Sequence, residues 1–267
     1  MKKSLIIGGD STIGKALNAA LPGAHVTYRR DLDLSAAPES WPALPEADVA
    51  YICAGVTKLE ACENDPAGSS LINVTRTQAL IEKLQGQGAH VVFLSSKQVF
   101  DGSNNFPATG DIPSPVTEYG RQKAEVEAWL LARGNFSCVL RLTKVISAVP
   151  AIFSQWKTAL QNHQSIEAFD DLVCAPLPLD AVVRTLVEIG REKRSGILHL
   201  SGDRDISYYA MACKLASRLG VAGDKVRAVS AKTRGIPAIF LPKHTALASS
   251  FPAVSSLCCI DTLLENA

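Results

Sequence analysis

What is scarce in this sequence narrows its chemistry first. An excess of either charge is missing: 27 Lys and Arg stand against 26 Asp and Glu, a net +1, so no footprint of a nucleic-acid or anionic-membrane binder is written into it. Long hydrophobic runs are missing too. The basic-then-apolar start, Met1 to Ile7, is cut by Gly8, Gly9 and Asp10 well short of a secretory core, and no later run approaches membrane-spanning length. The 7 cysteines are an odd number with no Cys-x-x-Cys spacing, and the adjacent Cys258 and Cys259 are poorly placed for a disulfide. Reduced, buried thiols in a cytoplasmic protein are therefore expected. The 5 histidines are isolated, with no His-Glu-x-x-His or similar cluster, and no catalytic metal is expected. Internal repeats and low-complexity tracts are absent as well. Aromatics are few, at 6%, yet 47% apolar and 20% charged residues make an ordinary soluble composition. A chain of 267 residues has room for one large α/β domain, or a domain with a smaller lobe.

What is present is a series of short apolar runs, each ending in small or polar residues. Leu5-Ile6-Ile7 reads as a buried strand, and Gly8, Ser11, Thr12, Ile13 and Gly14 turn it into a helix over about Lys15 to Leu21. Glycines in such a turn let the backbone approach a pyrophosphate, which the helix N-terminus stabilises with its free N–H groups and dipole. The usual spacing has a middle glycine at position 11; a Ser11 hydroxyl can still donate to phosphate. The next strand, Ala24 to Tyr28, is followed at once by Arg29 and Arg30. A fold that prefers NAD places an acid there for the ribose 2′-hydroxyl, whereas two arginines favour a 2′-phosphate, so NADP (NADPH) is expected and NAD is less suited. Asp33 and Leu34 offer an acid and an apolar side chain near the expected adenine site. Asp48 to Ile52 is a further strand with a small-residue exit, Cys53-Ala54-Gly55, where bulk would clash with a cofactor lying across the sheet edge.

The chemistry gathers later. Ala89 to Leu94 reads as a buried parallel strand that delivers Ser96 to its end, the usual place for a site in an open α/β sheet. Ser114-Pro115 is read as the start of the next helix, with Ser as N-cap and Pro at the first helical position. On it Tyr119 and Lys123 share a face, four residues apart. An ammonium near a phenol favours the phenolate, so a Tyr of ordinary pKa about 10 is expected to be drawn toward working pH. Such a Tyr can give a proton to a carbonyl oxygen while a Ser96 hydroxyl holds the same oxygen. A helix is expected from about Leu71 to Gln85 and a strand over Ser137 to Leu142. Asp170 to Asp180 reads as an apolar loop feeding a helix to about Glu192, and Gly196 to Gly202 as a strand with a glycine exit. Ser207 is placed to cap a helix from Tyr208 to Leu219, and a weak helix closes the tail.

Together, Ser-Ser-x-x-Val-Phe-Asp-Gly at 95–102, Tyr-Gly-x-x-Lys at 119–123 and Cys-Ala-Gly-x-Thr at 53–57 resemble the extended short-chain dehydrogenase/reductases, in their dTDP-4-dehydrorhamnose reductase-like branch. Glu63-x-x-Pro66, Asn73-Val74 and Asp171-x-x-x-x-Pro176 carry the same likeness. The resemblance implies a Rossmann-type doubly wound parallel sheet holding NADP(H) over residues 1–145 and about 180–200. It implies a small C-terminal α/β substrate lobe over about 146–179 and 201–267. In family roles Ser96 would polarise a keto group, Tyr119 would donate the proton, and Lys123 would lower its pKa while holding the nicotinamide ribose. The departures fall where substrate should bind. The rhamnose-pathway reductases read Asp-Tyr where Lys97 and Gln98 stand, and Trp where Lys144 stands. Their Arg-Pro-x-Asn-Ser is here Leu241-Pro242-Lys243-His244-Thr245. Thr57, Lys97, Gln98, Lys144 and His244 are accordingly the candidate substrate contacts. The expected activity is NADPH-dependent reduction of a carbonyl on a nucleotide-sugar or related polar small molecule. Alternatives are an epimerase or dehydratase using the same site, and a non-catalytic NADP-binding regulatory subunit; a homodimer is left open.

Overall fold

Strands of three to seven apolar residues alternate with amphipathic helices along the first two hundred residues, and that alternation builds a parallel sheet covered on both faces. The structure, a computed structural model, describes residues 3–134 and 137–265. Met1 and Lys2 of the basic start and the last two residues of the tail lie outside them. The elements run β1 (Ser4–Ile7), α1 (Thr12–Ala20), β2 (His25–Thr27), β3 (Val49–Ile52), α2 (Leu59–Asn64), α3 (Pro66–Ser70), α4 (Thr77–Gly86), β4 (His90–Ser96), α5 (Glu118–Ala132) and β5 (Ser137–Leu142). They continue with β6 (Lys144–Ile146), α6 (Ala151–Gln161), β7 (Ile166–Phe169), β8 (Val173–Cys174), β9 (Pro176–Pro178), α7 (Leu179–Glu192), β10 (Gly196–Leu200), β11 (Ile206–Ser207), α8 (Tyr208–Arg218), β12 (Val226–Val229) and α9 (Ser256–Glu265).

Two compact units form. The first holds residues up to Phe100, Thr109–Leu142 and Leu179–Leu200; the second holds Asp101–Ala108, Thr143–Pro178 and the residues from Ser201 on. In the first, six parallel strands lie in the order β10-β5-β4-β3-β1-β2. The order reverses between β1 and β3, which makes the crevice at their carboxyl ends the topological switch point. Leu5, Ile7, Ala50, Ile52, Val91 and Phe93 pack from the sheet against Leu80, Ile81 and Leu84 of α4 and Val126 and Leu130 of α5. Each such fully buried aliphatic side chain contributes about 2 kcal/mol. The second unit has its own core, in which Phe153, Trp156 and Leu160 of α6 meet Met211 and Leu215 of α8 and Ile260 and Leu263 of α9. No helix of the described residues is long and apolar enough to cross a membrane.

Several elements differ from what the sequence alone suggests. Ser114-Pro115 does not open α5: the Ser114 N–H donates to Val99 O, and the cap is Thr117, whose side chain accepts from Gly120 N at 3.1 Å. The helix expected from Leu71 is the second half of a longer helical run that Asp65 caps, with a six-residue π segment at Leu71–Arg76. The apolar stretch 170–180 holds β8 and β9, not a loop alone. Ser207 does cap α8, accepting from Ala210 N at 3.1 Å.

Candidate active site

A cavity of about 450 Å³ opens at the switch point. Gly8, Asp10, Ser11 and Thr12 form one wall, from the turn between β1 and α1. Cys53, Ala54, Gly55, Val56 and Thr57, the exit of β3, form the facing wall; Arg29, Leu32, Asp33, Leu34 and Ile72 close the sides. The two exits come this near because Gly8, at φ +93°, has no side chain: a Cβ there would run into the Ala54 backbone. Gly14 likewise lets α1 pass the Gly8 carbonyl. Ser11 plays a different part from the one its hydroxyl suggested. It donates to Gly8 O at 2.8 Å and accepts from Gly14 N at 3.0 Å, so its proton is committed to the Gly8 carbonyl while its oxygen caps α1. The first-turn N–H groups of α1, among them those of Thr12 and Ile13, are what remains to face an anion.

Arg29 and Arg30 are not equivalent. Arg29 lines the cavity and, largely exposed itself, lies 3.8 Å from the half-buried Asp33; Arg30 stacks over Tyr28 at 5.1 Å, pairs with Asp31 at 3.6 Å and is not part of the wall. The expected two-arginine grip is thus brought down to one. Nor is the region free of acids. Asp10 lines the cavity, with its Oδ2 accepting the Arg29 backbone N–H at 2.7 Å. Cys53 is held as the neutral thiol, its pKa pushed up to about 12 by burial.

The exit of β3 is fastened from behind by a network not anticipated as part of the site. Asn73, buried within the π segment, accepts from Val56 N and donates to Val56 O, both at 2.8 Å, and donates to Gln122 Oε1 of α5 at 2.7 Å. Gln122 in turn donates to Ser69 Oγ at 2.7 Å and to Glu118 Oε1 at 3.0 Å. A π turn re-aims one side chain without ending the helix, which is how Asn73 reaches across to both. The sequence signal was a glutamine on the apolar face of α5. Glu63 Oε1 accepts the Glu118 N–H at 2.6 Å, adding an anion at the start of the same helix.

Ser96 ends β4, with its Oγ accepting from Gln98 N at 3.2 Å in the short 3-10 turn Lys97–Val99. The start of α5 presses on that turn: a Cβ at Gly120 would collide with Gln98 O, so the glycine after Tyr119 is what lets the helix seat there. On α5, Tyr119 is 9% and Lys123 5% exposed. Lys123 Nζ donates to Leu94 O at 2.9 Å and lies 4.4 Å from the Phe93 ring centroid and 5.6 Å from that of Tyr119. Burial pulls the Lys123 pKa down to about 8 from an ordinary 10.5, with Glu127 opposing the shift. The Tyr119 pKa is not drawn down. Burial, and secondarily the Cys62 thiol, push it up; the Lys123 ammonium, for its part, donates to the Leu94 carbonyl and lies over the Phe93 face. Tyr119 is therefore a neutral phenol, an acid with a proton to give.

The remaining candidates are divided between the two units. Thr57 lines the switch-point cavity. Lys97 and Gln98 sit in the 3-10 turn of the first unit. Lys144 and His244 belong to the second unit. Lys144 is exposed at the start of β6, on the rim of an apolar hollow of about 120 Å³ lined by Phe153, Tyr208 and Met211. His244 is engaged locally, its N–H donating to Gly102 O at 2.9 Å and its Nδ1 3.7 Å from Asp205 Oδ2. Gly102, at φ +77°, packs against Pro242 with no room for a side chain, which explains the glycine of the Phe-Asp-Gly run. All seven cysteines are free thiols. Among the described residues, no group of three His, Cys, Asp or Glu is arranged to hold a metal.

A six-stranded parallel sheet with a switch-point cavity, and Ser, Tyr and Lys carried by β4 and α5, define a Rossmann-type chain of the extended short-chain dehydrogenase/reductase kind. Residues 1–251 match the RmlD substrate binding domain, and the chain belongs to that family. It is 27% identical over 192 residues to methionine adenosyltransferase 2 subunit beta of Xenopus tropicalis, covering 67% of this chain and 56% of that protein. The chain thus spans little more than half the length of that relative. It is 28% identical over 222 residues to dTDP-4-dehydrorhamnose reductase of Sinorhizobium fredii, covering 78% of this chain and 75% of that one. In structure it resembles dTDP-4-dehydrorhamnose reductase of Bacillus anthracis, solved in complex with NADP, with a TM-score of 0.81, 20% identity and coverage of 99% and 98%.

Proposed function

We propose that this chain is an NADPH-dependent reductase of a carbonyl on a nucleotide-sugar or a related polar metabolite. The observation that carries the reading is the buried, neutral Tyr119 one helical turn from the Lys123 cation, on a helix seated directly against the turn that follows Ser96. The cavity residues fit NADPH: α1 N–H groups for the pyrophosphate, Leu32, Leu34 and Ile72 for the adenine, and Arg29 for the 2′-phosphate. The Bacillus anthracis structure named above, in complex with NADP, supports that choice of cofactor. Bound NADPH supplies hydride to the carbonyl carbon. Ser96 Oγ, which accepts from Gln98 N, keeps its own proton to hold the carbonyl oxygen as negative charge develops there. Tyr119 gives that oxygen its proton. Lys123 stabilises the tyrosinate left behind and holds the nicotinamide ribose. Thr57, Lys97, Gln98, Lys144 and His244 are the proposed substrate contacts. With Gln98 and Lys144 in place of two flat aromatic side chains, a ligand that binds by stacking loses a few kcal/mol, and a more acidic carbonyl compound is favoured.

The test is NADPH oxidation against a panel of keto-sugar nucleotides and keto acids, using wild type, Tyr119→Phe and Lys144→Ala. Turnover should fall about a hundredfold or more in Tyr119→Phe with NADPH binding retained. dTDP-4-dehydrorhamnose should be a poor substrate, and Lys144→Ala should weaken use of an acidic one. Full activity in Tyr119→Phe sinks the assignment of the proton donor. A second reading, a non-catalytic regulatory subunit, is favoured by the match to methionine adenosyltransferase 2 subunit beta. NADPH binding with no turnover on any carbonyl, together with co-purification of an unrelated subunit, selects it.

A further inference from the structure

One turn beyond Lys123 on α5 lies Glu127, 1% exposed, a carboxylate that the proton-transfer roles leave unused. Its two oxygens accept Arg141 Nε at 3.1 Å each, Oε2 accepts Arg141 Nη2 at 2.6 Å, and Oε1 also accepts the Ser95 hydroxyl. Arg141 is equally buried and donates Nη1 to His199 Nε2 at 3.2 Å; a guanidinium has only donors, so that ring nitrogen is the acceptor and carries no proton. Ser95, Arg141 and His199 are register partners on β4, β5 and β10. They form a row across three strands, with the carboxylate of α5 held over it.

A buried ion pair is weak evidence for stability, because apolar side chains of similar volume commonly serve as well or better. The charge of Glu127 points elsewhere. Ser95, which it grips, lies between Leu94, whose carbonyl receives Lys123, and Ser96. The other titratable groups that act on Lys123 are the thiols of Cys53, at the exit of β3, and Cys62, on α2, both held neutral by burial; Tyr119, on its own helix, is neutral too. Among the described residues Glu127 is the one carboxylate acting on Lys123. We propose that Glu127 is a positioning residue for Lys123: clamped by Arg141 and Ser95, it supplies the counter-charge that keeps the ammonium charged and seated against the Leu94 carbonyl. The inference rests on the reading of Lys123 as the cation that holds the cofactor ribose and supports Tyr119.

The experiment is an NADPH titration followed from neutral pH to about pH 10 in wild type, Glu127→Gln and Glu127→Asp, with melting curves to establish that each is folded. Wild-type affinity should fall on an alkaline limb as Lys123 loses its proton. In Glu127→Gln that limb should move down by about one pH unit. Glu127→Asp keeps the charge and should keep the limb in place, with weaker binding overall. An unmoved limb in folded Glu127→Gln overturns the proposal. If that variant does not fold, because it leaves a guanidinium unpaired, Glu127→Met combined with Arg141→Met removes both charges without an orphan. A smaller downward shift is expected there, because the Arg141 cation leaves with the carboxylate, and its absence again overturns the idea. Wild type that does not bind NADPH defeats the reductase reading instead. The midpoint of Lys123, followed by NMR of ¹³C-methylated protein in wild type and Glu127→Gln, then decides the matter: a lower midpoint in the variant supports the counter-charge, and equal midpoints end it.

Discussion

At the scale of single residues, Arg29 and Arg30 show how neighbours divide two like charges into different tasks. The pair between Arg29 and Asp33 is loose, at 3.8 Å with Arg29 76% exposed, and such surface pairs hold well under 1 kcal/mol. A 2′-phosphate can therefore take the Arg29 guanidinium from Asp33 at little cost. Arg30, stacked on Tyr28, is less available. NADPH should bind at least tenfold more tightly than NADH, about 1.4 kcal/mol, and Arg29→Ala should remove most of that preference while Arg30→Ala removes less. Paired titrations of the two cofactors decide it; a preference for NADH in wild type, or equal effects of the two substitutions, contradicts the assignment. An acid does reach Arg29 in space: Asp10, 19 residues earlier in the chain, accepts its backbone N–H, a contact that only the fold creates.

Among elements, α5 does most to place the site. Its Thr117 cap, the Glu63 carboxylate at its start and the Gly120–Gln98 contact together set where Tyr119 and Lys123 stand. Gly120→Ala should push the helix off the Lys97–Val99 turn, destabilising the protein by about 1–3 kcal/mol and lowering turnover more than NADPH affinity. Denaturation and steady-state rates measure the two effects; a fully stable, fully active variant means the helix can shift without disturbing the site. Much of this was legible beforehand. The parallel strands are legible in the short apolar runs, and so are the places of Ser96 at a strand end and of Tyr119 and Lys123 on one helix. Local signals misled where two competed: Ser114-Pro115 is a good helix start by composition, but Thr117 three residues on is the one whose hydroxyl reaches an unpaired N–H. The Asn73–Gln122 link was legible only as a glutamine on a buried helix face, because its partner stands 49 positions away in the chain. The pKa of Tyr119 runs against its spacing for a related reason: four residues give proximity to Lys123, but they do not show how deeply the fold buries the phenol, and burial raises its pKa.

For the whole molecule, the buried Lys123 ties stability to pH in the opposite sense to its chemistry. With a folded-state pKa of about 8 against an ordinary 10.5, the folded protein bears the full cost of a buried ammonium below about pH 8. Between those values the unfolded chain binds the extra proton, so this group adds stability as pH rises through the window. The melting temperature of wild type, relative to Lys123→Met, should climb from about pH 8 to 10.5. A difference that stays flat means the ammonium is better solvated than its burial indicates. The order of strands carries a consequence of another kind, for how the chain is made. The edge strand β10 ends at position 200 of 267, so a nascent chain emerging at about 5–20 residues per second, with β5 paired to β4 on one side, leaves the other edge of β5 open while β6 to α7 are still being synthesised. An exposed strand edge invites pairing with other chains. A fragment stopped after Leu142 should therefore aggregate where the full chain stays dispersed, as gel filtration would show, and during synthesis the exposed β5 edge should make this interval the one in which a chaperone matters most.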